Sequence, residues 1–341
     1  MSCRTPQACH AAGSRRRTAT PSATTPGTTS DPVTGTVTTG PEGTAFTTTI
    51  SHVYGDNGAF PVEVCAEDGT VEVCRTVTAV IFNVDPYPVI DVSGATAVDG
   101  VPYIVATAGE TITFSARTTD PGSDDLELTW DLGDGTTVTT MSPLNPPNPD
   151  PPLSPSIQPR GITDTVDHAF ADACGYAVIY SAGDDDGGGV GSDEVAVLIL
   201  GDADRVRSAG YWQQVFRLRH GSPFDEATLL CYLQIVDALS QVLSEVTPAS
   251  TLAEARDVLE PPPAGDAAAT LERQLLAAWL NFANGGIGWD EPVDSTGDGV
   301  LDVPFGEALQ AAETVRLDAT ATRTQLLAQK DALERINVRD G

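Results

Sequence analysis

One ten-residue stretch, residues 126–135, constrains the fold of this chain more than any other. It reads Leu-Glu-Leu-Thr-Trp-Asp-Leu-Gly-Asp-Gly. Its large apolar residues occupy every second position: Leu126, Leu128, Trp130 and Leu132. Because side chains alternate across a pleat, this pattern predicts a strand that buries one face. Asp134 and Gly135 then favour a turn, since glycine tolerates a positive φ at no steric cost.

Short alternating segments flank this stretch on both sides. The strands predicted in this region cover residues 89–92, 111–116, 126–132, 136–140, 165–170, 176–182 and 194–200. Seven short strands of this kind predict a two-sheet sandwich over residues 86–201. The proline-rich insert at 141–166 cannot be a central strand and is predicted to be an extended surface loop. Its role is either that of a passive spacer or that of a ligand for a partner that binds polyproline helices.

The motifs of this region resemble those of PKD domains, immunoglobulin-like modules of bacterial surface and secreted proteins. Residues 130–135 are similar to the Trp-Asp-Phe-Gly-Asp-Gly signature of the family, with Leu132 in place of Phe. Downstream, a His-x-Tyr motif, a Gly-x-Tyr-x-Val strand and an acidic glycine-rich turn follow in the family's order. They correspond here to residues 168–170, with Phe170 in place of Tyr, to Gly175-Tyr176-Ala-Val178, where Gly directly precedes Tyr, and to 184–187.

The second half of the same pattern also occurs earlier in the chain. His52-Val-Tyr54, Gly58-Ala-Phe60-Pro-Val62 and the turn at 67–69 repeat it in order. The resemblance therefore implies one complete PKD-like unit at 86–201 and the C-terminal half of another at 41–85. Strands are predicted in this half unit at 45–54, 59–66 and 71–84, without an opposing sheet.

The charge of the chain excludes two classes of partner. The formal net charge is −30, from 48 acidic and 18 basic residues. Such a surface repels phosphate backbones and anionic membranes, and divalent cations are its natural counterions. No apolar stretch reaches the length of a transmembrane helix, so no membrane span is predicted.

The N-terminal 40 residues are rich in Thr, Ser, Pro and Gly and are predicted to be a disordered tail. The first 29 residues lack the apolar core of a signal peptide. The PKD resemblance nevertheless implies export to the cell surface or the extracellular space. We therefore expect the N-terminus to be truncated.

Four of the six cysteines suggest disulfides. Cys65 and Cys74 stand on either side of a predicted hairpin turn, where they face each other across the ladder. In the extracellular setting that the resemblance implies, this arrangement favours a cross-strand disulfide over two buried thiols. Cys174 and Cys231 are a second potential pair, between two domains. Cys3 and Cys9, in the tail, support no interpretation.

After residue 201, apolar residues recur about every 3.6 positions instead of every second position. This spacing predicts an all-α domain over 202–341. A helix start is predicted at Ser222-Pro223, with Ser222 as N-cap, and a capping box at Thr251 and Glu254. Helices are predicted at 267–283, about 305–316 and about 319–337. Within the helix at 267–283, Trp279 and Phe282 are the expected core anchors.

The loop at 294–302 has the spacing of a calcium site. Oxygen ligands are predicted from the side chains of Asp294, Thr296, Asp298 and Asp302 and from the main-chain carbonyl of Val300. The loop resembles those of dockerins and EF-hands, except that Phe305 stands where EF-hands place a bidentate Glu. The alternative is an acidic glycine-rich turn in which Asp302 caps the next helix.

A second acidic cluster follows from the sandwich topology. The loops after the second and sixth strands emerge at one end of such a sandwich. They carry a group of seven aspartates: Asp120, Asp124, Asp125, Asp184, Asp185, Asp186 and Asp193. This end either binds Ca²⁺ or is a solvated acidic rim, and the undefined ligand spacing favours the rim.

No motif of an enzyme stands out, so the chain is predicted to be non-catalytic. It lacks His-Glu-x-x-His, Gly-x-Ser-x-Gly and P-loop motifs. We expect an extracellular, calcium-binding adhesion or scaffold protein whose PKD modules are spacers or contact protein or carbohydrate ligands. Two alternatives remain open: the accessory, substrate-contacting region of a secreted hydrolase, and an enzyme of undescribed type in the helical domain. The aromatic residues Tyr211, Trp212 and Trp289 suit either sugar stacking or core packing.

Overall fold

The computed structural model describes most of the chain from residue 54 onward and short strands before it. The described residues are 20–24, 31–32, 36–40, 43–47, 54–55, 57–67, 71–122, 124–144, 160–185, 188–217 and 222–339. The central part of the proline-rich insert, His52, Asp186 and the tail cysteines Cys3 and Cys9 lie outside this part of the chain.

The N-terminal region contains strand pairs that the sequence analysis did not predict. Its strands are β1 (Thr20–Thr24), β2 (Asp31–Pro32), β3 (Thr36–Gly40), β4 (Gly43–Thr47), β5 (Gly58–Glu67) and β6 (Glu72–Ile81). One sheet has the order β2-β1-β5-β6, and β3 and β4 form a separate hairpin. The prediction of a disordered tail over residues 1–40 therefore fails for three segments, because β1 adds to the edge of β5, β2 pairs with β1, and β3 pairs with β4.

The first predicted disulfide forms within this sheet. β5 and β6 are antiparallel, and their register places Cys65 directly opposite Cys74. The two sulfur atoms are bonded, with the Cα atoms 4.0 Å apart. The cross-strand prediction is confirmed, and it follows from a hairpin turn that lies midway between the two cysteines.

In the described residues of the central region, nine strands form a sandwich of two sheets. They are β7 (Tyr87–Ile90), β8 (Thr96–Val98), β9 (Val101–Thr107), β10 (Thr111–Asp120), β11 (Leu126–Asp131), β12 (Thr137–Ser142), β13 (Arg160–Ala169), β14 (Gly175–Asp184) and β15 (Val190–Leu200). One sheet has the order β13-β10-β7 and the other β12-β11-β14-β15-β9-β8. β8 and β9 were not predicted, and β12 and β13 extend into both ends of the predicted 141–166 insert.

The stretch that begins at Leu126 forms a central strand of the larger sheet. The apolar residues of its predicted inner face are at most 1% exposed: Leu126, Leu128, Trp130 and Leu132. Opposite them, Phe114 and Ala116 of β10 complete the core, together with Val178 and Tyr180 of β14. The immunoglobulin-like sandwich predicted from the sequence is confirmed.

The C-terminal region is helical, as predicted. Its helices are α1 (Ala209–Phe216), α2 (Glu226–Leu239), α3 (Leu252–Leu259), α4 (Ala267–Ala283), α5 (Phe305–Leu317) and α6 (Arg323–Val338), with a π-helical turn at Val242–Val246 after α2. Two short strands, β16 (Pro292–Val293) and β17 (Val303–Pro304), pair at the base of the 294–302 loop. The core anchors Trp279 and Phe282 are each 1% exposed.

Two helix starts test the capping predictions. Thr251 and Glu254 form the predicted capping box of α3. At α2 the predicted N-cap is wrong, because the cap is Asp225, which accepts a hydrogen bond from the Thr228 amide. Ser222 instead donates its hydroxyl to the carbonyl of Phe224. Asp225 is the better cap because it also places a negative charge at the positive end of the helix dipole.

The sandwich contributes residues to the apolar core of the helices. Alternate residues of β15 face opposite ways, with Val195, Val197 and Ile199 in the sandwich core. Leu198 and Leu200 belong to the core of the helices. A disulfide between Cys174, just before β14, and Cys231 of α2 adds a covalent link at this junction. The potential pair between the two domains is therefore formed.

Candidate functional sites

The loop at 294–302 is exposed and held together by its own hydrogen bonds. Both carboxylate oxygens of Asp294 accept from main-chain amides, Oδ1 from Gly297 at 2.6 Å and Oδ2 from Gly299 at 2.8 Å. Both glycines have a positive φ, near 85°. The Oδ1 atom of Asp298 accepts from the Val300 amide at 2.9 Å. The loop therefore has the tight turns that the glycine positions predict.

Asp302 faces the start of the loop rather than the helix that follows. Its carboxylate accepts from both the amide and the hydroxyl of Ser295, at 2.9 and 3.1 Å. Helix α5 begins at Phe305, with Pro304 as N-cap and no side-chain capping bond. The alternative in which Asp302 caps this helix is therefore wrong. Phe305 is fully buried, so the twelfth loop position anchors the loop to the core.

Hydrogen bonds in this loop favour the ionised forms of Asp294 and Asp302. The amides of Gly297 and then Gly299 lower the pKa of Asp294, and the Ser295 amide lowers the pKa of Asp302. A cation already lies beside the loop, because the Arg335 guanidinium donates to the carbonyl oxygen of Ser295. These carboxylates are directed at amide groups, and each still has lone pairs that could bind an ion.

The described residues include two groups of three potential ligands within 4.8 Å of one another, and the 294–302 loop contributes to neither. One group consists of Glu63, Cys65 and Cys74. Its two sulfur atoms are bonded to each other, so they cannot act as thiolate ligands. The other group consists of Asp120, Asp124 and Asp184.

The second group lies at the end of the sandwich where the sequence predicted an acidic surface. Asp120 ends β10, Asp124 precedes β11, and Asp184 ends β14, where it pairs with Leu126. Asp120 and Asp124 are 1% and 2% exposed. They are therefore buried residues and do not belong to a solvated rim. Burial raises the pKa of Asp120, and the charge of Asp184 raises it further.

The other predicted members of this cluster have separate roles. The Asp125 amide donates to Asp185 Oδ1 at 3.0 Å, which links the two connecting loops. Asp193 lies on β15, where its Oδ2 accepts from the Ile90 amide at 2.8 Å. It thereby joins the two sheets. The sequence predicted these acids at one end of the sandwich, but not which of them are buried together.

His168 and the Gly-Asp-Gly turn, the two PKD signature motifs, contact each other. The Nε2 atom of His168 is hydrogen-bonded to Asp134 Oδ2 at 2.7 Å, and its ring packs edge-on against Phe170. This contact joins the turn after β11 to the end of β13. His168 therefore has a structural role at the end of a strand.

The aromatic residues considered for sugar stacking are largely core residues. Trp212 is fully buried, and its Nε1 donates to Asn281 Oδ1 at 3.0 Å. Trp289 stacks on Trp279 with ring centroids 5.9 Å apart. Tyr211 lies at the edge of this core, with the Arg207 guanidinium over its ring. Core packing accounts for both tryptophans.

The hydrogen-bond partners of one buried carboxylate, Glu313, could not be predicted from the sequence. Glu313 of α5 is 7% exposed, and it accepts hydrogen bonds from Ser240, Trp279 and the amide of Val242. Its position in the apolar period of α5 predicts burial of the side chain but not the donors, because these come from distant parts of the chain.

Comparison with known proteins supports the identity of the sandwich. The PKD domain family matches residues 98–190, from the end of β8 to the start of β15. This match lies within the region where the sequence motifs resemble a PKD domain. No curated protein matches the chain. Within the part that the structure describes, no helix is long and apolar enough to cross a membrane.

Three solved structures show distant similarity to this chain. A family 123 glycoside hydrolase from Clostridium perfringens aligns over 42% of this chain and 34% of its own, at 8% identity and a TM-score of 0.22. An endo-fucoidan hydrolase of glycoside hydrolase family 107 aligns over 53% and 23%, at 10% identity and a TM-score of 0.15. The zebrafish RET cadherin-like domains 1 to 4 align over 56% and 44%, at 9% identity and a TM-score of 0.18. The chain thus spans less than half the length of each of these proteins.

Proposed function

We propose that this chain is a non-catalytic, calcium-binding scaffold or adhesion protein of the extracellular space. Its PKD sandwich is a spacer or contact unit for a protein or carbohydrate ligand. The observation that carries this proposal is the junction between the sandwich and the helices, where residues of the sandwich join the apolar core of the helices and the Cys174–Cys231 disulfide adds a covalent link. A fixed junction suits a protein that holds other components at a set distance, and disulfides persist in oxidising compartments.

The charge distribution agrees with an extracellular contact role. The net charge of −30 keeps the chain away from nucleic acids and anionic membranes. It also favours divalent cations, which are abundant outside cells and bind weakly to extracellular modules. The PKD match is consistent with this setting, since such domains are typical of extracellular proteins.

A sedimentation assay on insoluble polymers tests this function. The oxidised chain is incubated with collagen and with insoluble polysaccharides, in Ca²⁺ or in chelator, and the bound fraction and the soluble products are measured. We expect retention on at least one polymer in Ca²⁺ and no release of sugars or peptides. An unrelated protein of similar negative charge controls for adsorption. Retention with release of product would instead make the chain a hydrolase, and absence of retention on every polymer would contradict the contact role.

Calcium binding by the 294–302 loop is a separate prediction. The loop lacks an acid at its twelfth position, so we expect a dissociation constant on the order of 10⁻⁵ to 10⁻³ M. Calorimetric titration of the chelator-treated chain should show that Asp294→Asn and Asp298→Asn each remove one binding event. Binding should also raise the melting temperature, because the ion binds only the folded loop.

The matched control is Asp204→Asn, which removes one charge from a side chain that is 82% exposed. This variant should bind Ca²⁺ as the unmodified chain does. If Asp298→Asn and the unmodified chain take up Ca²⁺ equally at about ten millimolar, the loop is only an acidic turn. That result would remove calcium at this loop from the proposed function without affecting the contact role.

A further inference from the structure

We propose that Asp120, Asp124 and Asp184 bind one divalent cation, Ca²⁺, at the end of the sandwich. The site is formed where β10 ends, β11 begins and β14 ends. It goes beyond the proposed function, because it lies in the sandwich and shares no residue with the loop at 294–302. The proposal rests on the spacing of the three carboxylates, on the burial of Asp120 and on the partners of the nearby arginine.

The spacing of the carboxylates suits a shared ion. One oxygen atom from each of the three aspartates lies within 4.8 Å of those from the other two. Oxygens that bind the same Ca²⁺ at about 2.4 Å are at most roughly 5 Å apart, twice the metal–ligand distance. Three ionised carboxylates at this spacing repel one another, and the repulsion is stronger where water is excluded. A cation between them converts this repulsion into binding.

The second observation is an atom of Asp120. Its Oδ1 accepts a hydrogen bond from the Gly122 amide at 2.6 Å. Its Oδ2 is buried and has no hydrogen-bond partner among the residues that the structure describes. Buried polar atoms are almost always bonded, so such an oxygen in a group of acids indicates a missing ligand. With the residue only 1% exposed, bulk water does not take that place.

The nearby arginine is directed at other groups. Arg160 Nη1 donates to the main-chain carbonyl of Asp124 at 2.7 Å, and Nη2 donates to the carbonyl and hydroxyl oxygens of Ser142 at 3.0 and 2.8 Å. The guanidinium thereby fixes the loop backbone at Asp124. The guanidinium charge lowers the pKa of Asp120. Burial and the charge of Asp184 both raise this pKa, and each has a larger effect.

The chemistry of the site selects Ca²⁺ among common ions. The three side chains offer only oxygen, which suits hard cations rather than zinc or copper. They come from the ends of three different strands, so they form an irregular cage that waters and carbonyls can complete. Ca²⁺ accepts six to eight ligands in such cages, whereas Mg²⁺ requires a near-ideal octahedron. We therefore expect Mg²⁺ to bind more weakly.

Ion binding here would also brace the segment that enters the sandwich. Asn83 lies between β6 and β7, and its Nδ2 donates to Asp184 Oδ2 at 2.6 Å. Asp85 in the same segment accepts from the Gly189 amide at 2.7 Å. An ion that fixes Asp184 therefore also stiffens the connection between the N-terminal sheet and the sandwich.

The test is a calcium titration of the full chain carrying Asp298→Asn, which separates this site from the 294–302 loop. After chelator treatment we expect one Ca²⁺ per chain, a dissociation constant on the order of 10⁻⁵ to 10⁻³ M, and a rise in melting temperature of about 5 °C at a hundredfold excess over that constant. Adding Asp120→Asn or Asp184→Asn should reduce the affinity at least about tenfold, as expected for loss of a charged ligand.

Two controls keep the result interpretable. Asparagine at position 120 retains an oxygen for the Gly122 amide and removes one charge, so in chelator this variant should melt no lower than its parent. Glu127→Gln removes an exposed charge from β11 beside the site and should leave Ca²⁺ binding unchanged. Absence of any heat or thermal shift in the Asp298→Asn parent, or equal binding with and without Asp120→Asn, would overturn the proposal. Either result leaves the polymer-binding assay unaffected.

Discussion

Replacing Trp130 with alanine is expected to lower the free energy of unfolding by about 3–5 kcal/mol, the usual range for a deleted core aromatic. The indole is 1% exposed and packs against Tyr180, with ring centroids 4.4 Å apart. Its Nε1 also donates to Asp164 Oδ2 at 2.9 Å, which connects the two sheets. Alanine therefore leaves a cavity and removes the donor from a carboxylate.

Chemical denaturation of Trp130→Ala, followed by circular dichroism, measures this loss. Trp130→Phe separates the two contributions, because it keeps most of the ring volume and loses the Nε1–H donor. We expect it to cost about 1–3 kcal/mol. Phe82→Ala is the surface control, since Phe82 is 83% exposed, and it should stay within about 0.5 kcal/mol of the unmodified chain. A loss below about 1 kcal/mol for Trp130→Ala would contradict a structural role for the indole in the sandwich.

The sandwich core was predictable because its central strand has one buried and one exposed face. In β11 the apolar residues alternate with the exposed residues Glu127 and Asp131. The order of apolar and polar residues in the sequence therefore shows which face of the strand is buried. The same reasoning identified the inner face of β15. Its outer residues Leu198 and Leu200 are apolar too, because they contact the helices. Alternation alone does not reveal this second contact.

Strands that lack alternation were missed. β9 runs parallel to β15, and its seven residues carry no clear apolar face. The strands β1 and β3 are short and rich in threonine, so their pairing depends on the neighbouring strands β5 and β4 rather than on their own composition. Strand formation there is decided by tertiary contacts, which a local pattern does not contain.

The two acidic sites illustrate what ligand spacing can predict. At 294–302 the spacing predicted ligands, whereas the structure directs Asp294 towards the amides of Gly297 and Gly299. At the end of the sandwich, Asp120 and Asp184 are 64 positions apart in sequence, so no local spacing relates them. Only the topology predicted their proximity, and the burial of Asp120 required the packed structure.

Replacing Glu313 with alanine is expected to lower the free energy of unfolding by about 3–5 kcal/mol, because it leaves three buried donors without an acceptor. Ser240 Oγ and Trp279 Nε1 donate to its Oε1 at 2.5 and 2.9 Å, and the Val242 amide donates to its Oε2 at 2.9 Å. These bonds tie α5 to α4 and to the turn after α2. Glu307→Ala, which removes an exposed glutamate from α5, is the matched control and should cost less than about 0.5 kcal/mol.

The same residue makes stability depend on pH in a predictable direction. Burial raises the pKa of Glu313 above its ordinary value of 4.5, although the three hydrogen bonds oppose this shift. Between the ordinary and the raised pKa, the folded chain therefore binds more protons at this site than the unfolded chain does. The stabilising contribution of Glu313 is then complete below the ordinary pKa and declines as the pH rises through the raised one.

Urea denaturation of the unmodified chain and of Glu313→Ala, at pH values from about 4 to 8, measures this dependence. The difference between the two free energies of unfolding cancels the titration of the other acids. We expect this difference to be largest at the lowest pH and to decrease as the pH rises. A difference that stays constant would mean that Glu313 has the same pKa in both states, and one that grows with pH would mean that its hydrogen bonds outweigh its burial. In either case the desolvation of this carboxylate would not outweigh its hydrogen bonds with Ser240, Trp279 and Val242.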